Sequence, residues 1–198
     1  MSTSFASLVT DVITLTNRPD LVNETNLAVK SAVIKAHQSD DYVKDLQDVS
    51  VQFTSADYFQ TLDYKSVIPL WRKIRYARKY DAAGGAPGNF LKYIEPEKVT
   101  DEYGASRTDI FYVAGLNLQI RSKDPLQYLL LGVYLNPVTT AVGFNSWIAD
   151  DHPFAIIYEA AATIFKTIGY DEQVPIYRQM VTEQYQLLRQ HAISGQGY

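Results

Sequence analysis

The sequence changes character twice along its 198 residues. Residues 4–38 and 150–193 repeat apolar side chains at helical spacing, whereas about 45–145 alternate with period two and are rich in β-branched and aromatic residues. Neither terminal pair of helices can cover its apolar face alone, so the two ends of the chain are expected to pack together. The pattern predicts an α+β protein: a four-helix bundle formed by the N- and C-terminal helices, with a β-rich insertion, an antiparallel sheet or sandwich, between helices two and three.

The same pattern sets the predicted domain boundaries. The helical bundle comprises 1–40 and 148–193, and the β-rich insertion comprises 41–147. A flexible tail follows, because short terminal segments of small and polar residues are rarely tied down. The tail consists of Ser194, Gly195, Gln196, Gly197 and Tyr198.

Helix ends are predicted from capping residues. Ser4 is expected to cap the first helix and Asn23 the second, since both side chains accept hydrogen bonds from exposed backbone N–H groups. Asp151 is expected to cap the third helix, with Pro153 in its first turn. Gly169 is expected to end that helix, because glycine adopts the left-handed conformation found there.

The middle of the chain contains short strand-like runs at 49–53, 110–113 and 116–120, separated by residues typical of turns. Asp124 and Pro125 are predicted to interrupt strand structure, because proline cannot donate to a sheet ladder. These runs and breaks favour a small antiparallel sheet or sandwich.

Composition narrows the classes of function. The chain has no cysteine, which excludes disulfides, thiolate metal sites and cysteine nucleophiles. Its net charge of −4 argues against nucleic-acid binding over the whole surface. The longest dense apolar run, 128–135, is too short to span a bilayer, and we expect a protein that is not secreted. Its 15 tyrosines suit an oligomer interface, although a β-rich core is a compatible alternative.

Candidate metal and catalytic residues are few. The three histidines do not share metal-ligand spacing on any helix, and no HExxH motif is present. Asp150, Asp151 and His152 could contact a metal, but a helix cap with acidic residues at the helix start explains them more simply. The sequence also lacks the GxSxG and SxxK motifs of serine nucleophiles. We therefore predict no catalytic, cofactor or metal site.

Glu95 and Glu97 are the residues that an alternative function, cell-wall hydrolysis, would use. Glycoside cleavage needs two carboxyl groups, one of them with a raised pKa. Pro96 places this pair in an exposed loop, where a raised pKa is hard to obtain.

The strongest candidate feature is basic. Six cations fall within fifteen residues and alternate with aromatic side chains. Such a segment could hold a nucleic-acid strand, protect an edge strand from aggregation, or pair with an acidic neighbouring subunit. The acidic net charge favours the last two interpretations. The candidate interface or DNA-channel residues are Trp71, Arg72, Lys73, Arg75, Arg78 and Lys79.

Five stretches, spread over most of the chain, carry a family resemblance. They are LVTDVITLTNRPDL at 8–21, AVKSAVIKAH at 28–37, DIFYVAG at 109–115, LQIR at 118–121, and WIAD at 147–150 continued through Pro153 to IYEAA at 157–161, Phe165 and Gly169. In this order they resemble the head-to-tail adaptor proteins of tailed phages, also called head-completion or portal–tail connector proteins.

The resemblance implies a structural virion protein of the phage neck, made in the host cytoplasm, that is not an enzyme and uses no cofactor. Such adaptors form a homo-oligomeric ring, often a dodecamer, beneath the portal protein. The ring joins the portal to the tail nozzle or another tail protein and helps to retain the packaged DNA that later passes through its channel. The C-terminal tail, 194–198, would be disordered in the free monomer and ordered on the portal. Alternatives are another neck or tail component, such as a tail terminator, or a DNA-binding module that uses residues 65–80.

Overall fold

The computed structural model describes residues 3–80, 87–100 and 104–194. The chain forms two compact units, each with its own core. Met1–Asp45 and Asn136–Tyr198 form one of them, called the helical unit, and Leu46–Leu135 form the other, called the β unit. From the sequence, the helical unit has a formal charge of −5 and the β unit one of +1.

The elements follow one another in chain order. They are α1 (Phe5–Thr16), α2 (Val22–Gln38), a 3₁₀ helix (Val43–Asp45), β1 (Leu46–Asp63), α3 (Tyr64–Val67), β2 (Trp71–Tyr80), β3 (Pro87–Tyr93), a 3₁₀ helix (Pro96–Lys98), β4 (Ile110–Ala114), β5 (Asn117–Leu135), α4 (Trp147–Asp151), α5 (Pro153–Thr167) and α6 (Gln173–Ser194).

Helix α5 is the centre of the helical unit and packs against α1, α2, α4 and α6. Its residues Ile156 and Ile164 are fully buried, as are Leu8 of α1, Val29 of α2 and Leu188 of α6. Burying each of these side chains stabilises the unit by about 1.5–3 kcal/mol. In the described part of the chain, every helix is too short or too polar to cross a membrane.

The predicted helix ends are partly correct. Ser4 caps α1 as expected, since its side chain accepts from the backbone N–H of Ser7, and Gly169 follows α5 with a positive φ of 76°. The predicted caps Asn23 and Asp151 are wrong, because α2 already begins at Val22 and Asp151 is the last residue of α4. A short extra helix therefore precedes α5, and sequence periodicity over five residues cannot reveal it.

The predicted fold class, a four-helix bundle with an antiparallel sheet or sandwich inserted, is wrong. Strands β2, β3, β4 and β5 form a closed four-stranded barrel, and β1 adds a fifth strand along β5. The ring closes through a parallel pairing in which Lys92 and Tyr93 of β3 lie beside Ile110 and Phe111 of β4. The described chain has six α-helices, and α3 belongs to the β unit rather than to a bundle.

The length of β5 explains why the sheet closes. Its first part, 117–121, pairs with β4, and its second part, 128–135, pairs with β2. This single 19-residue strand therefore pairs with two different strands along the same edge. Asp124 and Pro125 lie between these two parts, where β5 changes from pairing with β4 to pairing with β2. No ladder hydrogen bond is required from the proline nitrogen there. The predicted strand break at these two residues is thus wrong.

Candidate assembly surfaces

Helix α6 has two apolar faces. One face contains Val181 and Leu188, and both are buried. A second row lies about 120° further round the same helix, at spacings that place its members within an arc of about 60°. This row exposes Ile176 (48%), Met180 (37%) and Leu187 (48%), with the exposed Glu183 among them. We call Ile176, Met180, Glu183 and Leu187 the outer stripe.

A buried carboxylate fixes which face of α6 points outward. Glu159 of α5 is 4% exposed and accepts from Lys35 Nζ of α2 at 2.5 Å. Arg178 Nη1 of α6 donates to both oxygens of Glu159, at 3.0 and 3.1 Å. Burial and the nearby Glu159 carboxylate raise the pKa of Tyr185, so this α6 hydroxyl stays neutral. These contacts hold α6 in one rotation about its axis, with the outer stripe facing solvent.

The six predicted interface residues lie on β2 and point in different directions. Trp71 packs against the barrel core, with its ring centroid 4.4 Å from that of Tyr64. Lys79 is largely buried and pairs with Asp109 and, at 3.8 Å, with Asp124. Neither side chain is available to a partner, so the segment does not form one continuous positive surface.

Arginines stacked on aromatic rings make up the outward side of β2. The guanidinium carbon of Arg78 lies 4.2 Å from the ring centroid of Phe90, which is 58% exposed, and that of Arg72 lies 5.1 Å from the ring of Tyr134. Tyr76 contacts Phe90 edge to face at 5.7 Å. Cations held on aromatic faces keep their charge and gain about 0.5–1 kcal/mol each at exposed sites.

Two further cations on β2 are exposed. Lys73 and Arg75 lie beside irregularities where β2 shifts its register against β5, between Trp71 and Lys73 and between Ile74 and Tyr76. Such bulges re-aim side chains away from the sheet. We call Arg72, Arg75, Tyr76, Arg78 and Phe90 the cation–aromatic face.

The predicted portal-docking tail can be placed only at its first residue. Ser194 is the last residue of α6. Gly195, Gln196, Gly197 and Tyr198 lie outside the described residues. The tail's proposed role stays a prediction.

A buried polar network that sequence reasoning missed joins three parts of the helical unit. His37 lies in the last turn of α2, Asp45 ends the first 3₁₀ helix, and Ser146 caps α4. His37 Nδ1 lies 2.8 Å from Asp45 Oδ1, and His37 Nε2 lies 2.9 Å from Ser146 Oγ. Trp147 Nε1 donates to the same Asp45 oxygen at 2.7 Å. A carboxylate oxygen accepts hydrogen bonds, so His37 Nδ1 donates to Asp45, and His37 Nε2 and the Ser146 hydroxyl share the second hydrogen bond.

This connectivity matches that of a Ser–His–Asp triad, but its surroundings do not suit nucleophilic catalysis. Ser146 Oγ already accepts from the backbone N–H of Ala149 at 3.1 Å as the cap of α4. His37 is 2% exposed and Ser146 4%, so a substrate carbonyl cannot reach the hydroxyl. The network therefore fixes the α2 end against α4. No local motif signals it, because its members lie at positions 37, 45 and 146.

Two histidines form a second polar contact in the helical unit. His191 Nδ1 of α6 lies 3.2 Å from His152 Nε2, at the junction of α4 and α5. Within residues 3–80, 87–100 and 104–194, no group of three metal-ligating side chains converges on one point. The pair instead links the end of α6 to α5 through a hydrogen bond that needs at least one neutral imidazole.

Acid is expected to weaken this link. Burial and the charge of His191 lower the pKa of His152 below 6.5, although Asp151, which pairs with Lys44, opposes that shift. The unfolded chain therefore takes up the proton first, and stability falls as the pH drops through 6.5. In urea unfolding at pH 8 and pH 5, wild type should lose more stability than His152→Gln. An equal loss in both proteins would contradict the assignment.

Glu95 and Glu97 are the carboxylate pair that cell-wall hydrolysis would use, and Glu95 lacks the raised pKa that a general acid would need. Lys98 Nζ lies 2.7 Å from Glu95 Oε2, and this hydrogen bond lowers the pKa of the Glu95 carboxyl. A general acid needs the opposite shift. Glu97 and Glu95 are both exposed to solvent.

No protein-family model matches this chain, and no curated protein matches it. The structure defines the class only as an α+β protein with a helical unit and a small closed barrel. Any more particular assignment rests on its exposed surfaces and on the resemblance described above.

Proposed function

We propose that this chain is a structural virion protein, the head-to-tail adaptor of a tailed phage. It assembles as a ring between portal and tail and helps to retain packaged DNA. The resemblance of five ordered stretches motivates the adaptor role, and the exposed surfaces are compatible with it.

The observation that carries this proposal is the outer stripe of α6. Single exposed apolar residues are common, but three aligned on one face of a helix whose other face is already buried are not. Ile176, Met180 and Leu187 occupy that face, and α6 cannot turn them inward without breaking the Arg178–Glu159 pair. Another protein chain is the simplest cover for such a stripe.

Removing the apolar side chains of the outer stripe should abolish assembly but not folding. We expect Ile176→Ser/Met180→Ser/Leu187→Ser to reduce the amount of chain that co-sediments with purified portal by about tenfold or more, since apolar contacts contribute most of the affinity. Because the three side chains are exposed, the helical circular dichroism signal should stay unchanged.

Leu27→Ser and Leu15→Ser serve as matched controls, since both leucines are exposed in the helical unit but lie on α2 and α1. Both should co-sediment like wild type. A triple variant that binds the portal as well as wild type would contradict the proposal.

A further inference from the structure

We infer that the outer stripe of α6 in one copy binds the cation–aromatic face of the next copy, with Glu183 against Arg75. This inference rests on the proposed ring-forming function and names the contact that builds the ring. The occupant of the outer stripe is thus a second copy of this chain.

The charge on α6 supports this choice of partner. Arg178 is engaged with Glu159, and Arg189 donates to the carbonyl of Ser39 and lies 3.8 Å from Asp40. Both cations are therefore held within the helical unit. Glu183 is the charge that the outer stripe itself presents, within a unit of formal charge −5. A partner surface that is apolar and positive fits it best.

The cation–aromatic face has both properties. Phe90 offers an exposed ring, and Arg78 and Arg72 are already ordered on aromatic faces, so little further side-chain entropy is lost on binding. Arg75 is exposed at a bulge and directly precedes Tyr76, whose ring contacts Phe90. Met180 can pack on the edge of Phe90, since thioethers adapt readily to aromatic surfaces.

A contact of the outer stripe with itself is less favourable. Two copies meeting stripe to stripe would bring two Glu183 carboxylates together without a cation and would give a closed dimer. The outer stripe and the cation–aromatic face are different surfaces, one on each unit, so their contact is heterologous. Repeating a heterologous contact builds a ring when the rotation between neighbouring copies closes on itself, and an open filament when it does not.

Charge reversal tests the contact directly. Glu183→Lys and Arg75→Glu should each lower assembly with purified portal by about tenfold or more, because each places like charges opposite one another. Assembly is measured by co-sedimentation and by counting rings in electron micrographs. The double variant Glu183→Lys/Arg75→Glu should assemble more than either single variant. Asp11→Lys, an exposed charge reversal on α1, is the matched control and should assemble like wild type.

Single reversals that assemble like wild type, or a double variant no better than the singles, would overturn the inference while leaving the proposed function intact. Wild type that forms no ring with the portal would instead overturn the proposed function. If the chain instead binds DNA in a salt-sensitive way that depends on Arg75, and neither charge reversal affects assembly, the cation–aromatic face is a nucleic-acid surface. That result would also overturn the inference.

Discussion

Asp45→Ala is expected to lower the free energy of unfolding of the helical unit by about 3–5 kcal/mol. The carboxylate is buried, and its Oδ1 accepts from both His37 and Trp147. Alanine leaves these two donors buried without that acceptor, and each lost hydrogen bond to a charged group contributes about 1.5–3 kcal/mol. Urea unfolding followed by Trp147 fluorescence in a Trp71→Phe background reports on this unit alone, since the chain has only two tryptophans.

Asp45→Asn is the matched control. Both donors meet the same oxygen, so an asparagine whose amide oxygen takes that position retains both hydrogen bonds and should lose only about 1 kcal/mol. If asparagine destabilises as much as alanine, the negative charge rather than the acceptor geometry holds the network. If alanine is harmless, the network does not stabilise the helical unit.

Gly132→Ala is expected to loosen the β unit by about 1–3 kcal/mol. A Cβ at this position of β5 would lie 2.4 Å from the ring of Tyr76 on β2. The ring must move, and its movement breaks the hydrogen bond that the Tyr76 hydroxyl donates to Asp48 and the edge-to-face contact with Phe90. Hydrogen exchange measured by mass spectrometry should become about tenfold faster in β2 and β5, since 1.4 kcal/mol is a factor of ten, and should stay unchanged in α5.

The double variant Gly132→Ala/Tyr76→Ala separates the clash from other effects. With the ring absent, the added methyl group should cause little further loss beyond that of Tyr76→Ala alone. If the stability losses of the two substitutions add fully, or if Gly132→Ala keeps normal protection against hydrogen exchange, the close approach of Tyr76 is not what excludes a Cβ at position 132. The same displacement would disturb the cation–aromatic face, so Gly132→Ala should also weaken assembly.

Four of the five helices of the helical unit could be predicted from the sequence, and the five-residue α4 could not. The apolar spacing of these four helices is long and regular, and buried residues such as Leu8, Val33 and Leu188 follow it. The barrel could not be predicted, because its closure depends on where β5 exchanges β4 for β2 and on the parallel pairing of β3 with β4. Strand patterns report which side of a strand is buried, but not which strand is its neighbour.

The candidate surfaces, too, could be predicted only in part from the sequence. The basic residues of β2 were visible as a cluster. Arg78 and Lys79 lie on different sides because adjacent strand residues alternate, whereas the directions of the residues between Trp71 and Tyr76 depend on two bulges. The outer stripe was detectable in principle, since Ile176, Met180 and Leu187 share one helical arc. It was hidden by the stronger apolar row on the buried face, which alone explains why α6 forms.

We propose that the surfaces of this protein contact other protein chains, and electron microscopy of the chain mixed with purified portal protein is the most direct test. We expect a ring of copies stacked coaxially on the portal. Portal particles that stay bare while the chain remains monomeric at every concentration would contradict it.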